Sequence, residues 1–458
     1  MQPLEEFIPG MTNYNRFIEP VYWPWWEYTD GHTYSLPAIM ANLDTPEFAD
    51  DPFNMMTPKW ALWVREDIAM MAGYDMTPIA SLQADFEAGS RPKTEEFAFN
   101  PAIKTPEDFY QFLRKIKDLN LTQGGLPVYP FNIMPWMQWH VGCMFDFGYW
   151  QKNDDGSVTG ILGSPGARDY YKFLKRLLDE ELLDPDFLMQ KDEQFNDKVQ
   201  SGRVASAMGA MDPESIAKYK ENIPGSEIRF IEWPKQTPGR GFFDVYTPGF
   251  HSAAISKKLP REDVVRLIEY FDWLYSDEGF LITSWGPEEA GLWEMRDGVR
   301  YFVDDDVVDA VIHNVGNGLG IKYWGLNDPF GENNWAKVVA FAPTLCTVTL
   351  NPFNPLRSYP TGINFIIYNN FLLGEAGMDL NYGVASNGDG GPNVSDAFGY
   401  FWSDFIGRDL AILFASKTEA EFDDIWDRIV MKNFEERGYN AAIADMEAWF
   451  DKFYVKKQ

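Results

Sequence analysis

Short apolar runs suited to buried strands alternate with amphipathic helical stripes along this chain, and that alternation restricts it to the α/β class. Trp60-Ala61-Leu62-Trp63-Val64-Arg65 reads as a buried strand that feeds a helix from Asp67 to Ala72, stopped by Gly73. Thr105-Pro106-Glu107-Asp108 is a helix start: Thr caps, Pro takes the first helical position, and the acids sit on the positive end of the dipole. Phe109, Phe112, Leu113 and Ile116 then mark one face. Leu126 to Phe131 predicts a strand after Gly124-Gly125, and Asn153-Asp154-Asp155-Gly156 predicts a hairpin. Tyr170, Phe173, Leu174, Leu177 and Leu178 form a helical stripe ending near Leu183, before Pro185. Val199 to Met208 reads as a helix end, a turn and a buried strand, and Gly249 to Ile255 as another strand. Val264, Ile268, Phe271 and Leu274 mark a second amphipathic helix. Helices over Phe405 to Ala415, Phe422 to Val430 and about Ala441 to Phe453 close the chain. Near its start, Asp30-Gly31 is a tight turn into a short strand at Thr33 to Pro37.

Composition narrows the function. With 39 basic and 69 acidic residues in 458, the net charge of −30 repels phosphate backbones and anionic headgroups. Nucleic acid is therefore excluded as a partner. No run of about 20 apolar residues exists to span a membrane. Cys143 and Cys346 lie far apart and give no zinc or iron–sulfur framework; they read as two buried free thiols, with one disulfide as the alternative. No hydrolase or phosphate-loop motif occurs. Asn387, Asp389, Asn393 and Asp396 offer oxygens, but loops of that composition are usually just solvated, and no metal or cofactor is assigned. The marked feature is the 16% aromatic content, with 17 Trp, 22 Tyr and 35 Phe. Most such rings belong in cores, yet this abundance also suits a cleft that stacks on sugar rings.

Four stretches, taken in order, carry a resemblance. Trp63-Val64-Arg65-Glu66-Asp67 through Gly73, then Lys104-Thr105-Pro106-Glu107-Asp108-Phe109, form the first. The second runs from Tyr171 to Ala205, with Leu182-Leu183-Asp184-Pro185-Asp186-Phe187 and then Gly202-Arg203-Val204-Ala205. The third is Ala253-Ala254-Ile255-Ser256, then Leu267 to Gly279, then Gly286 to Trp293, and the fourth is Phe422 to Tyr454. Together they resemble bacterial extracellular solute-binding proteins of ABC importers, nearest to the long lipoprotein-type, maltose-binding-like oligosaccharide binders. The chain departs at Glu181, where that family usually has Gly. It also departs at Asp118 to Gly124, which lacks the closing acid of the calcium loop some long members carry. The resemblance further implies that Met1 falls inside the first lobe, after an export signal, a lipid-attachment Cys and a first βαβ passage.

The resemblance implies a two-lobed, helix-rich, periplasmic-binding-protein-like fold of type II. Strands are expected to cross between lobes near 126–129, 249–253 and 345–351. The first lobe is expected at 1–125 plus 254–345, and the second at 126–250 plus 350–458. It implies hinge closure on an oligosaccharide in an aromatic cleft, and delivery to ABC permease subunits by a monomeric, extracellular, cell-surface or periplasmic receptor. No bond is broken, so no enzyme is expected. Surface adhesion on the same fold and, further off, glycoside hydrolysis are the alternatives. Trp136, just after the first expected crossing, is the leading stacking residue, with Trp139 three residues on. Lys59 and Trp60 stand at the entry to the strand that faces the cleft in relatives. Tyr246 and His251 flank the second crossing. Trp324 lies in an aromatic loop, and Trp402 opens a helix that relatives use to present a stacking ring. Arg65 and Asp67 read instead as a structural ion pair or cap.

Overall fold

The computed structural model describes residues 1–16, 27, 30–37, 61–88, 90, 94–134, 137–148, 150–153, 155–209, 213–231, 233–237, 252–279, 287–296, 299–303 and 392–453. The chain divides into two compact units, Met1–Thr57 with Tyr246–Phe365, and Pro58–Val245 with Ile366–Gln458.

In the first unit, β1 (Ser35–Pro37) pairs antiparallel with a later strand, Ser252–Ala254. The amphipathic helix Arg261–Leu274 covers an apolar cluster of Leu4, Ile8, Met11, Tyr14, Leu36, Ile255, Val264, Ile268, Leu274 and Tyr275. The N-terminal segment is tied in by backbone bonds from Gln2 to Ile255 and from Leu4 to Thr33 (2.8 Å each). The Asp272 carboxylate accepts from the backbones of Asn13 and Tyr14 and from the Asn13 amide, at 2.9 Å each.

The second unit is built on a four-stranded sheet. Its elements are β2 (Ala61–Arg65), α1 (Glu66–Met71), α2 (Ile79–Glu87), α3 (Pro106–Asp118), β3 (Thr122–Gln123), β4 (Leu126–Pro127), β5 (Tyr129–Ile133), α4 (Gln138–Val141), β6 (Trp150–Lys152), β7 (Val158–Gly160), α5 (Ala167–Asp179), α6 (Asp192–Gln200), β8 (Val204–Gly209), α7 (Pro213–Asn222) and β9 (Ile228–Phe230). The order is β5-β8-β2-β9, with β5 parallel to β8 and β2 antiparallel to both β8 and β9. The α3 start has the capping box its sequence encodes: Thr105 Oγ1 accepts from Asp108 N, and Asp108 accepts from Thr105 N.

This sheet corrects the expected lobe boundaries. Residues 61–125 were expected in the first lobe, apart from 126–250, yet β2 lies inside the sheet between β8 and β9. The segment near 126–129 lies within the second unit. The expected strand from Leu126 to Phe131 is two strands. β4 folds back on β3 through Gly124 and Gly125, both at positive φ (59° and 79°), and β5 then joins the sheet. The C-terminal helices also differ: Pro392–Gly399 runs without a break into a π-helical stretch, Tyr400–Asp409, and on to Leu410–Phe414. A second π stretch, Trp426–Met431, lies between Glu419–Ile425 and Lys432–Glu436.

The Leu-Leu-Asp-Pro-Asp motif is a core anchor. Asp184, fully buried, accepts from Asn132 Nδ2 (2.8 Å) and Lys198 Nζ (2.6 Å). Gln190 donates to Asn132 Oδ1 (2.7 Å) and to the Ile133 carbonyl (2.9 Å). These bonds pin β5 to the segment leading into α6. Arg65 and Asp67 form the expected structural pair (2.7 Å), and Arg65 also donates to the Gly202 carbonyl. A second buried pair, Arg229–Glu66 (2.9 Å), is completed by Arg229 bonds to the Thr77 and Phe97 carbonyls. Cys143 is buried; Cys346 lies outside the described residues.

Candidate functional site

β5, β8 and β9 all run one way and β2 runs against them, so three carboxyl ends and one amino end share an edge of the sheet. Ala61 pairs with Gly209, Ile133 pairs with Met208, and Ile231 N donates to the Leu62 carbonyl (3.1 Å). Ligands of open α/β sheets are bound outside the carboxyl ends of strands. Lys59 and Trp60 directly precede Ala61, and Trp136 follows Met134 by two residues. Three of the residues singled out in the sequence are therefore attached to one edge, although Lys59, Trp60 and Trp136 themselves lie outside the described residues. On either side of Trp136 the chain is held: Met137 N donates to the Met134 carbonyl (2.8 Å), and both Met side chains are buried.

Trp139 lies on α4, the short helix that follows, which packs against β8; its side chain is outside the described residues. Its neighbours Gln138, His140 and Val141 are buried. Desolvation holds the His140 imidazole well below the ordinary histidine range, so it stays neutral. Gly142 then permits a close approach: a Cβ there would stand 2.0 Å from the Phe147 ring. That ring leads towards Trp402. Phe147 lies 6.2 Å from Phe401, and Phe401 lies 5.2 Å from Trp402 in an edge-on contact. Trp402 is half-buried, with Phe398 also edge-on to it at 6.1 Å. The structure thus links Trp402, through two rings, to the segment that follows α4. Phe398 and Phe401 were not singled out in the sequence; the i, i+4 spacing of Phe398 and Trp402 is the signal that finds the pair. Tyr246, His251 and Trp324 lie outside the described residues.

A cavity of about 440 Å³ lies at the other end of β5. It is walled by Ile116, Leu121, Tyr129, Leu178 and Pro185, with the Lys117–Glu181 ion pair (2.9 Å) at its side. It contains none of the residues expected to touch a ligand. Glu181, the residue replacing the usual Gly, sits in the left-handed region at φ 54°, which explains why glycine suits that position. Among the described residues no cluster of His, Cys, Asp and Glu is arranged to hold a metal ion, and no helix is long and apolar enough to cross a membrane.

No protein-family model and no curated protein matches the sequence. Solved structures do match in fold. An alginate-binding protein crystallised without calcium ion aligns with TM-score 0.58 at 13% identity, covering 98% of this chain and 81% of that one. An S. pneumoniae ABC-transporter substrate-binding protein in complex with kestose aligns at 0.57 and 13%, covering 99% and 83%. An HMO-binding, ABC-transporter-associated solute-binding protein from Bifidobacterium longum infantis aligns at 0.58 and 14%, covering 99% and 84%. Over nearly its whole length, this chain has the two-lobed α/β fold of the solute-binding proteins.

Proposed function

We propose that the chain is an extracellular receptor that captures an oligosaccharide and delivers it to an ABC permease, acting as a monomer and breaking no bond. The observation that carries this reading is the near-complete alignment with an alginate-binding protein and with a substrate-binding protein in complex with kestose. The sheet edge supports it, because the segments bearing Lys59, Trp60 and Trp136 all join there. A sugar site needs aromatic faces for the apolar faces of the rings and polar groups for the hydroxyls. Trp136 is the leading stacking face, with Trp139, Trp60 and Trp402 as further aromatic surface. Lys59 suits hydroxyls or the carboxylate of an acidic sugar, and Tyr246, His251 and Trp324 complete the proposed set. Exclusion of water on binding strengthens each polar contact.

The test is a thermal-shift panel of kestose, maltotetraose and alginate oligosaccharides, with chromatography of the sugars afterwards. A sugar at 100 times its Kd is expected to add about 2.7 kcal/mol and to be recovered intact. No shift from any sugar contradicts the reading, and cleaved sugar replaces it with glycoside hydrolysis.

A further inference from the structure

The π-helical stretch Tyr400–Asp409 carries one of the proposed stacking residues, Trp402, and its two ends are joined by their own side chains. The Tyr400 hydroxyl donates to Asp409 Oδ2 at 2.7 Å, across nine residues. In an α-helix that bond is impossible: nine steps of about 100° place the two residues on opposite faces, about 13.5 Å apart along the axis. With i→i+5 bonding the turn holds between four and five residues, so nine residues make roughly two turns and return to one face. The register is seen directly where Leu410 N donates to the Phe405 carbonyl, five residues back. The bond therefore requires the wide register.

The second π stretch and the helix that follows it help hold the clamp. The Tyr400 hydroxyl lies 3.3 Å from the Val430 carbonyl, and Asn433 Nδ2 donates to Asp409 Oδ2 at 3.0 Å. Arg408 Nε donates to Asp409 Oδ1 at 2.6 Å, and Asp409 is 1% exposed. Burial alone raises a carboxyl, but the bonds from Arg408, Tyr400 and Asn433 outweigh it and hold Asp409 below its ordinary value. The Tyr400 ring keeps an independent anchor, stacked on Phe434 at 5.7 Å.

We infer that Tyr400 and Asp409 form a positioning clamp that sets the direction of Trp402, and through it the affinity for sugar. Trp402 stands seven residues before Asp409. Each residue turns roughly 100° in α and roughly 80° in the wide register, so relaxation to α swings Trp402 by more than about 100° relative to Asp409. The affinity half of this inference rests on the proposed function; the geometric half does not.

The experiment uses the full chain labelled with 5-fluorotryptophan, with the Trp402 fluorine resonance assigned by its loss in Trp402→Phe. Tyr400→Phe keeps the ring on Phe434 and removes only the hydroxyl, and Asn433→Ala weakens the same clamp from the other side. Both are expected to move the Trp402 resonance while the chain still melts in one transition. With the panel sugar that most stabilises the unmutated chain, Tyr400→Phe is expected to raise Kd about fivefold or more, yet to add nothing in a Trp402→Ala background. An unmoved resonance in both variants overturns the clamp. A full fivefold effect on top of Trp402→Ala overturns its action through Trp402. If the unmutated chain binds no panel sugar while the resonance moves, the receptor reading and the affinity half fall together and the geometric half stands.

Discussion

Two groups of aromatic rings in the second unit differ in how far they are enclosed. Tyr171 stands in the interior, with Tyr170 at 4.8 Å, Phe405 at 5.0 Å, and Phe147 and Trp426 at 5.9 Å. Tyr170, Tyr171 and Phe405 are fully buried, and desolvation pushes both phenols well above their ordinary range. Trp402, on the same helical run, is only half-buried, with Phe398 and Phe401 edge-on to it. The enclosed rings spend all their area on stability. A ring that keeps part of its surface in water retains some of the roughly 150–250 Å² a whole aromatic side chain can bury. Residue type does not separate the two roles, whereas enclosure does.

The comparison is broken most forcefully from the inside. Phe405→Ala removes a ring packed on Tyr171 and Phe401 and is expected to cost about 3–5 kcal/mol in urea unfolding, with sugar affinity little changed. Trp402→Ala is expected to reverse that pattern, with about 2 kcal/mol lost from binding and less than that from stability, measured by calorimetry and urea unfolding on the same preparation.

Acidity sharpens the contrast between buried and exposed groups. Burial lowers the folded His140 pKa well below 6.5, so the unfolded chain binds more protons and stability falls as pH drops below about 6.5. The slope approaches about 1.4 kcal/mol per pH unit for one proton. Exposed His32 is raised, by its hydrogen bond to Glu5, so its contribution has the opposite sign, present below 6.5 and lost as pH rises through its folded value. Urea unfolding from pH 5 to 7 separates them: His140→Gln is expected to flatten the fall, and an unchanged slope assigns it to other groups. The smallest effect is expected at Glu181→Gly. It relieves a left-handed residue but loses an exposed ion pair with Lys117 and loosens the unfolded chain, for a net gain below about 1 kcal/mol in Tm-derived stability.

Much of the local structure was legible because its causes are local. The capping box at Thr105, the stripe from Tyr170 to Leu178 and the Asn153–Gly156 turn are each fixed within a few residues. The place of β2 was not legible, because pairing with β8 and β9 joins residues more than a hundred positions apart and no periodicity reports it. The π stretches escaped for a different reason: their apolar stripe passes for an α stripe, and in the first of them the register shows only in the folded chain, through the Leu410 N–Phe405 carbonyl bond and the Tyr400–Asp409 bond. For the site, chain position placed Lys59, Trp60 and Trp136 beside strand ends that the structure brings to one edge. Phe398 and Phe401 stand beside Trp402 in the sequence, but Phe147, which approaches Phe401, comes from a distant segment that no local pattern reports.

The central claim is that aromatic side chains at this sheet edge bind sugar rather than fill the core, and Trp136 tests it most directly. The measurement is the Kd for the panel sugar and the unfolding free energy of Trp136→Ala, on the full chain. The account predicts a binding loss of about 2 kcal/mol or more with a small change in stability. Unchanged affinity with a stability loss of about 3–5 kcal/mol would place Trp136 in the core and contradict it.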